Sequence, residues 1–231
     1  MARPKVILFN VISLDGRLDS GVAGTVDMGL YYGIAAHFHA DAMLSGSEMI
    51  LTGFAGQEEL PEENPLAGTK ELHPLAVPKL IVADSRARIH LWRLLRSQPY
   101  WGDVIALISR HTPRTCLAEL DRAGVEYVVA GEERVDFALA LEELGTLLGI
   151  KTVRVDSGGV LNGVLLRAGL VDEVSVLVAP TLVGGPASGS LFVSPEAIED
   201  IAPIPLRLVH LEKIAEDVLW LRYEVKRAPL A

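Results

Sequence analysis

The chain has 231 residues, half of them hydrophobic, a single cysteine and a formal net charge of −9 at neutral pH. This length suits one α/β domain with a large core, and the single Cys116 excludes an intrachain disulfide and cysteine-based zinc sites. The negative charge disfavours nucleic acid or an anionic membrane as the main partner, and the apolar runs are too short to cross a bilayer. The first residues lead directly into a strand rather than a secretion signal, so we expect a cytoplasmic protein.

The first part of the chain predicts two strands, a helix and a long loop. Residues 5–12 form a buried strand in this prediction, residues 28–39 a helix, and residues 41–46 a second strand that closes at Gly46. Residues 51–78 are rich in glycine, proline and glutamate and lack periodicity, which predicts a long loop with one helical turn. A loop of that length in a compact domain is often functional.

The middle of the chain alternates strands with helices. In the helix predicted at 136–148, Phe137, Leu141 and Leu144 fall on one face. Strands that alternate with helices of this length indicate parallel βαβ units with right-handed crossovers. Trp92, Tyr100 and Trp101 are predicted to flank a loop before the strand at 104–108 and to pack locally or form an oligomer contact. The predicted strands are 79–83, 104–108, 125–129 and 152–155, and the predicted helices are 115–122, 136–148 and 160–168.

The last third has the pattern of antiparallel strands. A long apolar strand at 172–179 precedes two strands, at 206–214 and 218–225, that a short turn joins. Apolar and polar residues alternate in the final strand, which is typical of a half-exposed antiparallel strand. We therefore predict an α/β fold with a mostly parallel central sheet and a C-terminal antiparallel hairpin, built as one domain over residues 1–231.

A glycine pair, Gly158-Gly159, stands between a predicted strand and a predicted helix. Two glycines let the backbone approach a ligand closely, and the free N–H groups and dipole of a helix start can hold a phosphate. The pair equally fits a tight turn that needs glycine for its own geometry, and it is far weaker than a full dinucleotide fingerprint. The pair by itself leaves both interpretations open.

Polar residues lie at the carboxyl end of the first predicted strand, where ligands bind in open α/β sheets. They are Asn10, Ser13 and Asp15. An Asp-Gly pair is also common in ordinary turns, so this segment alone favours the turn.

Together these motifs resemble the reductase family that forms the C-terminal half of bifunctional riboflavin-biosynthesis deaminase-reductases and that also occurs as stand-alone proteins. The resemblance runs from about residue 5 to residue 226 and implies a dihydrofolate-reductase-like, three-layer fold. Its most specific part is the Gly-Leu-Val-Asp-Glu-Val-Ser-Val-Leu-Val-Ala-Pro stretch at 169–180, followed by Leu-Val-Gly-Gly. Further matches are Ser-Leu-Asp-Gly at 13–16, Ala-Asp-Ala-Met-Leu-Ser-Gly at 40–46, residues 79–85 and Gly-Gly-Val-Leu-Asn-Gly at 158–163.

The resemblance implies hydride transfer from NADPH to a C=N bond of a small heterocyclic substrate. That substrate would be 5-amino-6-(5-phosphoribosylamino)uracil or its diaminopyrimidine counterpart. The alternatives are a reductase of dihydrofolate or another pterin-like compound, and a non-catalytic NADPH-binding sensor. We also expect a homodimer. The cofactor would contact Gly46, Ser47, Ser85, Arg86, Ser157, Gly158, Gly159, Val160 and Leu161.

The resemblance also suggests site residues for the substrate and for the proton. Arg86 is a candidate for the 2′-phosphate of the cofactor, because a guanidinium suits a phosphate, or else it is a solvated surface arginine. The basic residues that bind the substrate phosphate in the family are missing at 37–40 and 67–70, which motivates the sensor alternative. His39 and Lys70 are the residues in these segments that could replace them. Histidines two apart do not share a helix face, so no metal site is expected. The candidate proton donors are Asp15 and Glu63, and the candidate substrate ligands are Asn10, Ser13, Asp15 and His39.

Overall fold

The computed structural model describes residues 3–18, 20–61, 77–185, 189–194 and 202–226. The chain divides into two compact units, one of Met1–Pro4 with Ala40–Val153 and one of Lys5–His39 with Arg154–Ala231. The assignment of all residues to a single domain stays a prediction. None of the helices in these ranges is long and apolar enough to cross a membrane.

The described residues form alternating strands and helices followed by a run of strands. In chain order they are β1 (Lys5–Ile12), β2 (Arg17–Leu18), α1 (Ser20–Ala23), α2 (Met28–Ala36), β3 (Ala42–Gly46), α3 (Ser47–Gly53), β4 (Lys79–Ala83), α4 (Trp92–Ser97), β5 (Val104–Ile108), α5 (Arg114–Ala123), β6 (Glu126–Val129), α6 (Phe137–Thr146), β7 (Thr152–Val155), α7 (Gly159–Arg167), β8 (Glu173–Val178), β9 (Gly189–Ser190), β10 (Leu206–Lys213) and β11 (Leu219–Val225).

The first unit contains a parallel sheet in which β3, β4, β5 and β6 lie side by side. All five residues of β5 are buried, as expected for a parallel strand covered on both faces. Trp92 and Leu95 of α4 and Leu120 of α5 pack into the core of this unit. α5 stops at Gly124, whose φ of 63° is the left-handed conformation that glycine adopts at no steric cost.

The second unit contains strands in the order β10, β11, β8 and β1. β1 and β8 are parallel, whereas β8, β11 and β10 pair antiparallel. An aromatic cluster fills the core beside β1: the Phe9 and Tyr31 rings are stacked with centroids 4.8 Å apart, and Phe38 meets Phe9 edge-on at 5.2 Å. Asp27 begins α2 by accepting a hydrogen bond from the backbone N–H of Leu30.

The predicted mostly parallel sheet with antiparallel strands at the C-terminus is confirmed. Four strands, β1, β4, β5 and β7, have the predicted bounds. Two helices are shorter than predicted: α2 ends at Ala36, before His39 takes a positive φ of 46°, and α6 ends at Thr146.

The prediction of a loop flanked by Trp92 and Tyr100 is wrong over most of its length, because α4 occupies Trp92–Ser97. This helix has six residues and no capping side chain, so it lacks the usual sequence signals. Burial of Trp92, Leu94 and Leu95 stabilises it instead. α3 extends into the start of the loop predicted at 51–78, and residues 62–76 of that loop lie outside the described residues.

Candidate functional site

A buried hydrogen-bond network joins the end of β1 to the start of α7. The Asn10 Nδ2 group donates to the Ser157 carbonyl oxygen at 3.0 Å, and the Asn162 Nδ2 group donates to Asn10 Oδ1 at 3.0 Å. Asn162 also donates to the Leu191 carbonyl oxygen at 3.1 Å. The side-chain nitrogen and oxygen of Asn10 are thus both engaged within the protein. The structure gives Asn10 a positioning role for the strand–helix turn rather than an open amide facing a substrate.

The glycines at the start of α7 differ in the space around them. A Cβ atom on Gly159 would lie 2.1 Å from the Ser190 carbonyl oxygen, and one on Gly163 would lie 2.1 Å from the Val193 carbonyl oxygen. Close approach of the 189–194 segment therefore requires glycine at both positions. A Cβ atom on Gly158 would meet nothing within 4 Å.

The first residues of α7 are compatible with an anionic ligand. Gly158 is the N-cap and provides no side-chain hydrogen bond to the helix start. Val160 is 53% exposed, and Leu161 is half-buried. Open space beside Gly158 and the uncapped amides of a nine-residue helix suit a phosphate group. Contact of Ser157, Gly158, Val160 and Leu161 with a dinucleotide stays a prediction.

Ser13 and Asp15 form a tight brace after β1. Ser13 Oγ donates to Asp15 Oδ1 at 2.6 Å and accepts from the Arg17 backbone N–H at 3.0 Å. The Asp15 carboxylate accepts from the backbone N–H groups of Val183 at 3.2 Å and Gly184 at 2.9 Å. The bond from Ser13, followed by those from Gly184 and Val183, lowers the pKa of Asp15 from 3.8 to about 2. Asp15 is therefore ionised at neutral pH, which makes it unsuited to donate a proton.

Of the remaining substrate and proton-donor candidates, only His39 is described, and it does not join the brace. Within the described residues no hydrogen bond connects the exposed His39 side chain to Asn10, Ser13 or Asp15. Glu63, the second candidate proton donor, and Lys70 lie outside the described residues.

One acidic residue that sequence reasoning did not select has the environment of a proton donor. Asp156 follows β7 directly, and the Tyr31 hydroxyl donates to its Oδ2 atom at 2.5 Å. Burial raises the pKa of Asp156, although the charge of Arg154 and the hydrogen bond from Tyr31 act in the opposite direction. The sequence signal was its position just before the glycine pair, and only the tertiary structure brings Tyr31 to it.

The candidate cofactor residues of the first unit lie at the ends of β3 and β4. Gly46 is the N-cap of α3, and the Ser47 hydroxyl accepts a hydrogen bond from Arg88 at 2.9 Å. Ser85 Oγ accepts from the Val135 backbone N–H at 2.9 Å. Arg86 is exposed, and no acidic side chain is paired with it in the part of the chain that the structure describes.

Comparison with known proteins shows similarity to reductases along the whole chain. A protein of Methanothermobacter thermautotrophicus named 2,5-diamino-6-ribosylamino-4(3H)-pyrimidinone 5′-phosphate reductase is 32% identical over 237 residues, covering 97% of this chain and 99% of that protein. An oxidoreductase activity is thereby supported.

Solved structures share the fold at low sequence identity. A pyrimidine reductase-like protein of Corynebacterium diphtheriae has a TM-score of 0.73 at 20% identity, covering 97% of this chain and 93% of its own. The riboflavin biosynthesis reductase Rib7 of Saccharomyces cerevisiae has a TM-score of 0.62 at 20% identity, covering 97% and 90%. These likenesses confirm the predicted dihydrofolate-reductase-like α/β fold. Because the family model of the RibD C-terminal domain matches residues 4–220, the chain belongs to the RibD C-terminal domain family.

Proposed function

We propose that this protein is an NADPH-dependent reductase of 2,5-diamino-6-ribosylamino-4(3H)-pyrimidinone 5′-phosphate or of its aminouracil counterpart. The observation that carries the proposal is the 32% identity to a reductase of that name, which covers 97% of this chain and 99% of the relative. A cytoplasmic setting is part of the proposal, and the single cysteine supports it.

The start of α7 is the proposed contact for the cofactor diphosphate. When bound, the reduced nicotinamide would supply a hydride to the carbon of a C=N bond. The protein would bind the diphosphate through the amides that follow Gly158, a residue whose added Cβ atom would meet no described atom within 4 Å. Asn10 and Asn162 hold that turn in place through their mutual hydrogen bond. Arg86 is the proposed ligand of the 2′-phosphate, which distinguishes NADPH from NADH.

The Ser13–Asp15 brace would shape the substrate side of the second unit. Its carboxylate holds the backbone N–H groups of Val183 and Gly184, so the loop after β8 is tied to the turn after β1. A substrate contact through the exposed His39 is part of this proposal, whereas the fully buried Ser13 would act only through its hydrogen bonds to Asp15 and Arg17. The brace contributes orientation and rigidity, since a hydride-transfer site works mainly by positioning its reactants.

A homodimer is proposed from the apolar surface of β10. β10 pairs with β11 along one edge, and the described residues place no strand along its other edge. Four of its apolar side chains are at least 40% exposed, and a row of exposed apolar residues on an edge strand marks an association surface. They are Leu206 at 41%, Leu208 at 48%, Val209 at 40% and Leu211 at 61%.

The proposal is tested by turnover of the purified protein. We expect NADPH oxidation, followed by absorbance, that depends on the diaminopyrimidinone substrate and matches the product in amount. Mass spectrometry of the product should show a gain of two hydrogen atoms. Reduction of dihydrofolate instead would reassign the substrate, and tight NADPH binding without turnover of either compound would indicate a sensor. Absence of affinity for both reduced nicotinamides would contradict the enzyme proposal.

A further inference from the structure

Tyr31 and Asp156 form a hydrogen-bonded pair that the sequence motifs do not account for. Tyr31 lies in α2 and is 7% exposed, whereas Asp156 follows β7 and is only partly buried. Their atoms Oη and Oδ2 are 2.5 Å apart. The Tyr31 phenol that holds the Asp156 carboxyl group therefore lies inside the core, whereas part of the Asp156 residue is exposed just after β7.

Within the described part of the chain, few charged or titratable groups act on this pair. α2 contributes the Tyr31 phenol and the neighbouring Tyr32, whose ring centroid lies 5.4 Å from that of Tyr31; β7 contributes Arg154, and β1 contributes the uncharged ring of Phe9. Arg154 Cζ lies 6.0 Å from the centre of the Phe9 ring. Burial raises the pKa of Asp156 and raises that of Tyr31 well above 10, so the phenol keeps its proton and remains a donor.

The position of Asp156 suits a role in chemistry. It stands at the carboxyl end of β7, two residues before Gly158, and ligands of open α/β sheets bind beyond that end of the strands. Reduction of a C=N bond requires a proton at the nitrogen as well as a hydride at the carbon. Asp15 cannot supply that proton because its hydrogen bonds hold it in the ionised form.

We propose that Asp156 donates the proton to the nitrogen of the reduced C=N bond and that Tyr31 is its positioning residue. This inference rests on the proposed reductase function. The Asp156 O–H bond breaks and an N–H bond forms, while the carbon receives the hydride from the reduced nicotinamide, which is thereby oxidised. The resulting carboxylate accepts the Tyr31 hydrogen bond, is stabilised by the charge of Arg154, and regains a proton from solvent.

The first test is the pH dependence of kcat. In the wild type kcat should fall as pH rises through the pKa of Asp156, because the donor loses its proton. Asp156→Asn should lower kcat about 100-fold or more, the usual contribution of a general acid, while NADPH affinity measured by fluorescence stays unchanged. Tyr31→Phe removes a hydrogen bond that lowers the pKa of Asp156. The fall of kcat with rising pH, called the falling limb of the profile, should therefore move to higher pH in this variant. Tyr32→Phe, on the same helix, is the matched control and should leave the limb in place.

The second test measures the protonation of the Asp156 carboxyl group directly, in the cofactor-free protein. Infrared difference spectra across a pH titration should show the C=O band of a protonated carboxyl group whose midpoint lies above the ordinary aspartate range. The band should be missing in Asp156→Asn and should titrate at higher pH in Tyr31→Phe. Near-ultraviolet circular dichroism of each variant confirms that the fold is kept.

The outcomes separate this inference from the function on which it rests. If the wild-type protein oxidises NADPH with none of the candidate substrates, the proposed function is contradicted. An active wild type together with a fully active Asp156→Asn variant would overturn the inference alone. So would a Tyr31→Phe variant whose activity falls equally at all pH values without a shift of the limb or of the infrared midpoint, since that is the behaviour of a purely structural residue.

Discussion

Asn162 in α7 donates a hydrogen bond to Asn10 in β1 across 3.0 Å, and both side chains are buried. Asn10 in turn donates to the Ser157 carbonyl oxygen, so a single chain of hydrogen bonds links the strand, the turn and the helix. The turn that would face a cofactor diphosphate is therefore held by two amide side chains rather than by apolar packing alone.

Asn162→Ala should destabilise the protein by about 2–4 kcal/mol, because two hydrogen bonds are lost and the buried Asn10 Oδ1 atom loses its donor. Urea unfolding at pH 7 measures the change. Gln57→Ala is a control at an exposed position and should stay within about 0.5 kcal/mol of the wild type. Equal stability of the two variants would show that the network contributes nothing.

Gly159→Ala should destabilise the protein by roughly 1–3 kcal/mol or more, because its Cβ atom would overlap the Ser190 carbonyl oxygen. Gly158→Ala should destabilise the protein by only about 1 kcal/mol, the cost of alanine at an N-cap, since its Cβ atom would meet no described atom within 4 Å and its φ of −76° suits alanine. If a diphosphate binds there, the same variant should bind NADPH about tenfold more weakly. Unfolding midpoints and fluorescence titrations of both variants give the comparison, and a Gly158→Ala variant with wild-type affinity would place the diphosphate elsewhere.

Asp15→Asn should lower stability at neutral pH and lose its effect in acid. The folded-state pKa of Asp15 is lowered from 3.8 to about 2, so ionised Asp15 contributes stability above the unfolded-state pKa. That contribution disappears as pH falls through the folded-state pKa. Urea midpoints of both proteins should differ at pH 7 and converge between pH 3.8 and about 2. A difference that is constant with pH would contradict the assignment.

Arg86→Gln should weaken NADPH binding about tenfold or more and leave NADH binding unchanged, because only NADPH carries the phosphate that the guanidinium would contact. Fluorescence titration with both cofactors measures the ratio. Arg167→Gln removes an exposed arginine at the far end of α7 and should change neither affinity. An equal loss for both cofactors at position 86 would argue against 2′-phosphate recognition.

Leu211→Glu should shift the protein from dimer to monomer, since a charge would replace the most exposed apolar side chain of β10. Light scattering after size-exclusion chromatography gives the mass. Leu147→Glu, at a still more exposed leucine that follows α6, should keep the wild-type mass. A monomeric wild type would end the dimer proposal.

Sequence patterns were sufficient for the sheet and for the family. Strands such as β5 are continuous runs of apolar residues bounded by polar ones, a local signal that can be recognised without knowing the strand's neighbours. α4 was not predicted because six residues are too few to show a helical periodicity. Its stability comes instead from the burial of Trp92 and Leu95 against residues distant in sequence.

The alternation of strands and helices, the family and the segments that hold polar residues at strand ends can all be inferred from the amino-acid sequence. The roles of those polar residues depend on contacts that form only in the folded protein. Asn10 and Asp15 differ little in sequence context from ligand-binding residues, yet they hydrogen-bond within the protein, whereas Asp156 meets a phenol 125 positions away in the chain. A pKa and a hydrogen bond depend on the groups that folding brings within a few ångströms, and those groups come from segments far apart in sequence.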